Sequence, residues 1–227
     1  NDWRMLVGRI IALPDGKILT AGSYLSSGSP DFYTAKFTSN GRSDGSFGSL
    51  GKRVIDFAGG EDSVEDIAVD AAGNIVAVGS ADTTGSPEYD YSGWDAVVVR
   101  LNSKGTLDKK FGKNGISTAL DIGGGVDSFQ SVSILSNGKI VVTGVASPSG
   151  GSWDILTARY NSNGTLDSTF HGDGWNLTDV LGADEFATKG IVQIDASCSC
   201  AKLVISATAR TGPYTSPQFI GLLRFGL

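Results

Sequence analysis

Apolar and polar positions in this chain alternate in short runs, each closed by a cluster of Gly, Asn, Asp or Ser, and helical periodicity is absent throughout. The runs recur. Residues 11–22 (IALPDGKILTAG) reappear as residues 68–79 (AVDAAGNIVAVG) and again as residues 133–144 (SILSNGKIVVTG). Residues 193–207 (QIDASCSCAKLVISA) form a degraded further copy with extra residues in the turn. Each copy predicts an apolar strand, a tight polar turn and a second apolar strand. Gly16, Gly73 and Gly138 stand where a hairpin turn needs positive φ. A third strand follows at residues 31–37 (DFYTAKF), 95–101 (DAVVVRL), 154–160 (DILTARY) and 219–225 (FIGLLRF). After the first three comes a turn ending Gly41-x-x-Asp44-x-x-Phe47, Gly105-x-x-Asp108-x-x-Phe111 or Gly164-x-x-Asp167-x-x-Phe170. Fourth strands are predicted at residues 53–57, 116–120 and 175–179.

Four short strands per repeat are the pattern of a β-propeller blade. The expected fold is all-β: one propeller domain over residues 1–227, most simply four-bladed, with four-stranded antiparallel blades and an incomplete last one. The repeats fall at about residues 7–62, 63–127, 128–185 and 186–227. The pattern PDGKI-x-x-x-G, then D-x-x-x-x-R-[YFL], then G-x-x-D-x-x-F-G resembles the delta-60 repeat of large bacterial secreted and surface proteins. That resemblance implies a propeller-like extracellular module and no particular reaction. The last repeat lacks a fourth strand, and only residues 1–6 precede the first inner strand. The ring is therefore expected to carry an unusual seam, left open or covered by further polypeptide.

Composition narrows the function. The chain holds 32 Gly in 227 residues without a Gly-X-Y period, which excludes collagen and fits repeated turns. A net charge of −6 and a pI near 4.7, with no cluster of Lys or Arg, argue against nucleic acid. No apolar stretch is long enough for a spanning helix. The start at Asn1, with neither Met nor an apolar leader, is what a processed or excised chain would show. Cys198 and Cys200 lie in Ser-Cys-Ser-Cys, which fits a local disulfide or two free thiols, and less well a redox pair.

Candidate chemistry is sparse. The loops between second and third strands (residues 23–30, 80–94, 145–153 and 208–218) vary in length and share a face with the blade-to-blade crossings, as a ligand surface on a rigid scaffold does. Trp94 and Trp153 hold equivalent positions there, with Tyr89, Tyr91 and Tyr214 in neighbouring loops. They are candidates for stacking on sugars or peptides, against the alternative that each Trp packs between blades. Asp62, Asp127 and Asp184 enter the inner strands after glycine-containing crossings. Three such carboxylates are candidates to ring the axial channel and hold calcium, against the alternative that each caps a turn. Asp31/Lys36, Asp95/Arg100 and Asp154/Arg159 read as structural pairs. The single histidine, His171, takes a turn position that other repeats fill with Gly48 or Gly112, and nothing marks a nucleophile beside it. Asn163 and Asn176 head sequons that matter only in a eukaryotic secretory source. The expected function is a non-enzymatic extracellular module contacting protein or glycan, with self-association at the seam a further route. A lectin is the alternative, and a polysaccharide-active enzyme is the remote one. No cofactor beyond calcium is suggested.

Overall fold

The computed structural model describes every residue except 1–3, 26–27, 86–92, 150, 181, 196–199 and 211–217. Its described residues form four antiparallel sheets. The first holds β1 (Arg4–Ala12), β2 (Ile18–Leu25), β3 (Pro30–Phe37) and β4 (Lys52–Ile55) in that order. The second holds β5 (Asp62–Val69), β6 (Ile75–Asp82) and β7 (Trp94–Leu101). The third runs β8 (Val126–Ile134), β9 (Ile140–Ser147), β10 (Asp154–Tyr160) and β11 (Trp175–Thr178), and the fourth β12 (Asp184–Asp195), β13 (Cys200–Arg210) and β14 (Gln218–Gly226). These are the blades of a four-bladed β-propeller whose last blade is incomplete. The fourth strand expected at residues 116–120 is only two isolated bridges, Val99 to Ile116 and Ala96 to Leu120. Between them the Ser117 hydroxyl accepts the Val98 N–H at 3.1 Å, so a side chain replaces one rung of the ladder.

The repeated motifs act as joints. The inner hairpin turns of the first three blades close through paired backbone bonds, as in Leu13 N–H to Lys17 carbonyl at 2.8 Å, with Gly16 at φ 78°. Where sheets meet, the Gly48 N–H donates to the Lys104 carbonyl of the next blade at 2.7 Å, and Gly112 does the same to Asn163. Phe47 and Phe111 wedge beneath those turns, fully buried. A Cβ on Gly105 would lie 2.9 Å from the Phe47 ring, and one on Gly164 3.0 Å from Phe111, which explains the glycine in the motif. His171 adopts φ 50° in place of Gly48 and Gly112 and makes no such bond to a following blade among the described residues.

Middle strands are apolar on both faces because both faces are covered; all eight residues of β6 are buried. One cluster, with Leu19, Phe32, Val64 and Val97, fills the space between sheets one and two. A second, with Val98, Phe129, Val142 and Leu156, joins sheets two and three, and a third, with Val141, Ile155, Leu203 and Ile205, joins three and four. Among the described residues no corresponding core joins sheet four to sheet one. Val7 and Ile10 of β1 are 44% and 63% exposed, whereas Val64 and Ile67, their equivalents in β5, are 2% exposed. On the same face of sheet one, Tyr24 and Tyr33 stack at 5.5 Å and are buried, so the exposure is confined to the inner strand. Residues 4–6 extend β1 and do not form a separate closing strand.

The inner strands meet at one buried carboxylate. Each carries a bulge at the same place, at Gly8, Glu65, Gln130 and Thr188, and the residue after it turns inward. Those residues are Arg9, Asp66, Ser131 and Lys189. Asp66 Oδ1 pairs with Arg9 Nε at 2.8 Å, while Oδ2 accepts Lys189 Nζ, the Ser131 hydroxyl at 3.2 Å and the Val132 N–H at 3.1 Å. The single hydroxyl hydrogen of Ser131 is shared between Asp66 and the Gly190 carbonyl, 3.0 Å away. All four blades thus bond, directly or through one neighbour, to Asp66.

Candidate functional site

The crossings from one blade to the next build three clusters of carboxylates beside the variable-loop face. In the first, Asp31 opens β3, Asp56 follows β4 and Asp62 opens β5. In the second, Asp95 opens β7, Asp121 stands in the crossing and Asp127 lies in β8; the third joins Asp154, Asp179 and Glu185. Within each cluster one oxygen from every residue lies within 4.8 Å of the others.

A local motif sets this geometry: Asp-x-x-Gly-x-x-Asp/Glu. The first Asp accepts the glycine N–H, at 2.6 Å for Asp56 and Gly59, 2.7 Å for Asp121 and Gly124 and 2.5 Å for Asp179 and Gly182. Those glycines have φ of 85°, 70° and 68°, which turns the chain sharply enough to bring the last acid back beside the first. The last acid is buried and accepts a backbone N–H from the crossing. Asp62 bonds Phe57 at 3.0 Å, Asp127 bonds Ile122 at 2.7 Å and Glu185 bonds Val180 at 3.3 Å.

Each bond uses one oxygen. The other oxygen of Asp62 and of Asp127 is buried and has no hydrogen-bond partner. Burial, reinforced by the neighbouring Asp56 and Asp31, pushes the Asp62 carboxyl up to about 7. Burial with Asp121 and Asp95 does the same to Asp127, also to about 7. Burial also raises Asp31 and Asp95, helped by Asp56 and Asp121 respectively.

These contacts revise the sequence-based expectations. Asp62 and Asp127 do not meet round one axial channel; each belongs to a separate cluster at its own seam. Glu185, and not Asp184, is the equivalent in the third seam, because the crossing there is shifted by one residue relative to a sequence match on Gly182-Ala183-Asp184. Asp184 instead accepts the Trp153 N–H at 3.2 Å. Asp31, Asp95 and Asp154 are not paired with Lys36, Arg100 and Arg159. Five residues apart on a strand, such partners point to opposite faces. Arg100 pairs with Asp108 at 2.8 Å and Arg159 with Asp167 at 2.6 Å, each cation lying over the ring of Phe111 or Phe170.

Trp153 is half-buried with its ring 5.8 Å from that of Phe186 across the seam between sheets three and four. Trp94 is half-buried at the start of β7. Tyr89, Tyr91, Tyr214 and Cys198 lie outside the described residues, and Cys200 begins β13. Asn163 is exposed in its turn and accepts the Thr165 N–H at 3.1 Å; Asn176 lies half-buried in β11. The His171 ring packs edge-on to Phe170 at 4.6 Å. Among the described residues no helix is long and apolar enough to cross a membrane.

Comparison with family models agrees with the fold. The family described as "Domain of unknown function (DUF5122) beta-propeller" matches residues 13–47 and 135–170. These segments span the inner hairpin turn, the second and third strands and the Gly-x-x-Asp-x-x-Phe turn of blades one and three. No curated protein matches the sequence. Among solved structures, the tail fiber of Staphylococcus aureus phage P68 aligns with 12% identity and a TM-score of 0.30. The alignment covers 98% of this chain and 50% of that one, so the chain spans about half the length of this structure. The chain is thus similar, over two segments, to a β-propeller repeat family.

Proposed function

We propose that this chain is a non-enzymatic extracellular propeller module that makes protein contacts through its open seam, as part of a larger surface assembly. The resemblance of the repeats to those of secreted bacterial proteins supports the location. The observation that carries the contact reading is the exposed inner strand of sheet one, β1, on its seam face. Val7 and Ile10, with Met5 beside them, are exposed at positions whose equivalents in the next two blades lie under a neighbouring sheet. Ile191 and Leu222 of sheet four are exposed as well.

The occupant that fits is a second copy of this chain. Sheets two, three and four each seat this same inner-strand surface against the preceding sheet, so sheet one is shaped to accept a propeller sheet. Contact of this kind is heterologous and builds rings or filaments. Sedimentation over a concentration series tests it. The wild type should associate at micromolar to millimolar concentration, and Ile10→Asp should shift the midpoint upward by at least about tenfold, the effect of about 1.4 kcal/mol. A wild type that stays monomeric over the whole series, or an unchanged midpoint in the variant, overturns the reading. Glycan binding that survives Ile10→Asp would move the contact function to the variable-loop face.

A further inference from the structure

We propose that the seams joining sheet one to sheet two and sheet two to sheet three each bind a divalent cation of the calcium type, held by Asp31–Asp56–Asp62 and Asp95–Asp121–Asp127. This goes beyond the contact function and does not depend on it.

Three carboxylates within 4.8 Å repel one another unless protons or a cation intervene. No Lys or Arg supplies that charge to the first two clusters: the ion pairs of the described residues end on Asp44, Asp66, Asp108 and Asp167. The second observation is independent of the clustering. Asp62 is 2% exposed and Asp127 0%, and each keeps one buried oxygen with no hydrogen-bond partner. Buried polar atoms in folded proteins are nearly always satisfied, and a hard cation satisfies a carboxylate oxygen that no donor reaches. The raised pKa of these two acids describes the same situation with a proton in place of the metal.

The seam that lacks a core supplies the contrast. By register, the partner of the Asp31, Asp95 and Asp154 position is Phe219, and that of Asp62, Asp127 and Glu185 is Met5. The blade fold therefore does not itself require acids there. Each site also has a route for the ion, since Asp56 and Asp121 are exposed while the innermost acid is buried. Calcium suits such a set better than magnesium, which demands near-ideal octahedral geometry. Three side chains, with water completing the shell, point to dissociation constants of about 10⁻⁴–10⁻³ M, the range of extracellular modules.

The test uses the full chain after dialysis against chelator. Equilibrium dialysis with CaCl2 should load two ions per chain, and about 5 mM calcium should raise Tm by roughly 4–18 °C. The variant Asp56→Asn/Asp121→Asn keeps the oxygens that accept Gly59 and Gly124. It should hold the wild-type far-UV spectrum and Tm in chelator, and its calcium affinity should fall at least tenfold. No bound calcium in the wild type overturns the proposal, as does undiminished binding in the variant. An equal Tm rise with equimolar MgCl2 overturns the assignment to calcium. The wild-type stoichiometry decides the matter even where the variant folds poorly.

Discussion

Removing the Asp66 side chain is the sharpest test of how the blades are held at the centre. Asp66 is 1% exposed and bonds groups from the other three inner strands. In Asp66→Ala the Val132 N–H loses its acceptor in a buried place, which costs about 1–3 kcal/mol. Arg9 and Lys189 lose their ion pairs, but their side chains are 42% and 39% exposed, so water recovers most of that energy. About 1 kcal/mol for the two together is the appropriate scale. Ser131 keeps its bond to Gly190 and adds little. The total is about 3 kcal/mol, or a fall in Tm of about 6–12 °C for a domain of this size. Asp66→Asn retains an acceptor for Val132 and should lose only about 1 kcal/mol. Differential scanning calorimetry on the two variants measures both. Hydrogen exchange should rise first in β12, whose Lys189 links sheet four to the hub. A loss below about 1 kcal/mol in Asp66→Ala, or equal losses in the two variants, would refute the account of Asp66 as the central acceptor of the hub.

Other consequences are as direct. Gly105→Ala should cost about 3 kcal/mol, because it adds contact with the Phe47 ring to the strain of φ 75°. Gly41→Ala, at φ 82° with nothing within 4 Å, should cost only about 1 kcal/mol; urea midpoints that coincide would dismiss the wedge. Trp153→Ala should lose about 2 kcal/mol, since half of a large ring is removed from contact with Phe186, and calorimetry reads the loss. In chelator, stability should rise as pH falls from about 7.5 toward 5. The folded state holds Asp62 and Asp127 at about 7 against 3.8 unfolded, so it binds more protons than the unfolded chain over that window. Below about pH 4 the trend should reverse. Asp167, bonded by Lys139, Thr169 and Arg159, and Asp44, bonded by Ser46 and Lys17, are lowered in the fold, and the stability they contribute is lost as they protonate. A urea midpoint that falls steadily from pH 7.5 to 3 would contradict the buried acids.

Much of the fold is written in local chemistry. Gly16, Gly73 and Gly138 mark hairpins because only a residue free to take positive φ closes those turns, and the strands flanking them follow from their apolar runs. The carboxylate clusters are less legible. Their members come from the third strand, the crossing and the next inner strand, and only sheet stacking brings these together. Part of the signal was nonetheless present. Asp56, Asp121 and Asp179 each precede a glycine at the same interval, and the odd spacing of Asp95 from Arg100 already separates them to opposite faces. The shifted third crossing hid Glu185 behind Asp184. The axial hub had no local mark, because a bulge shows only when two strands are paired.

That hub bears on a hazard common to tandem repeats. Copies with similar hairpins are prone to exchange partners during folding, so that one blade takes another's place. Here the four equivalent inward positions carry a guanidinium, a carboxylate, a hydroxyl and an ammonium group in chain order. Two blades of the same kind would bring two acids together, or leave the cations without an acceptor. The centre of the ring thereby gives each blade its own address, and an assembly with its blades out of order pays in unmatched charge.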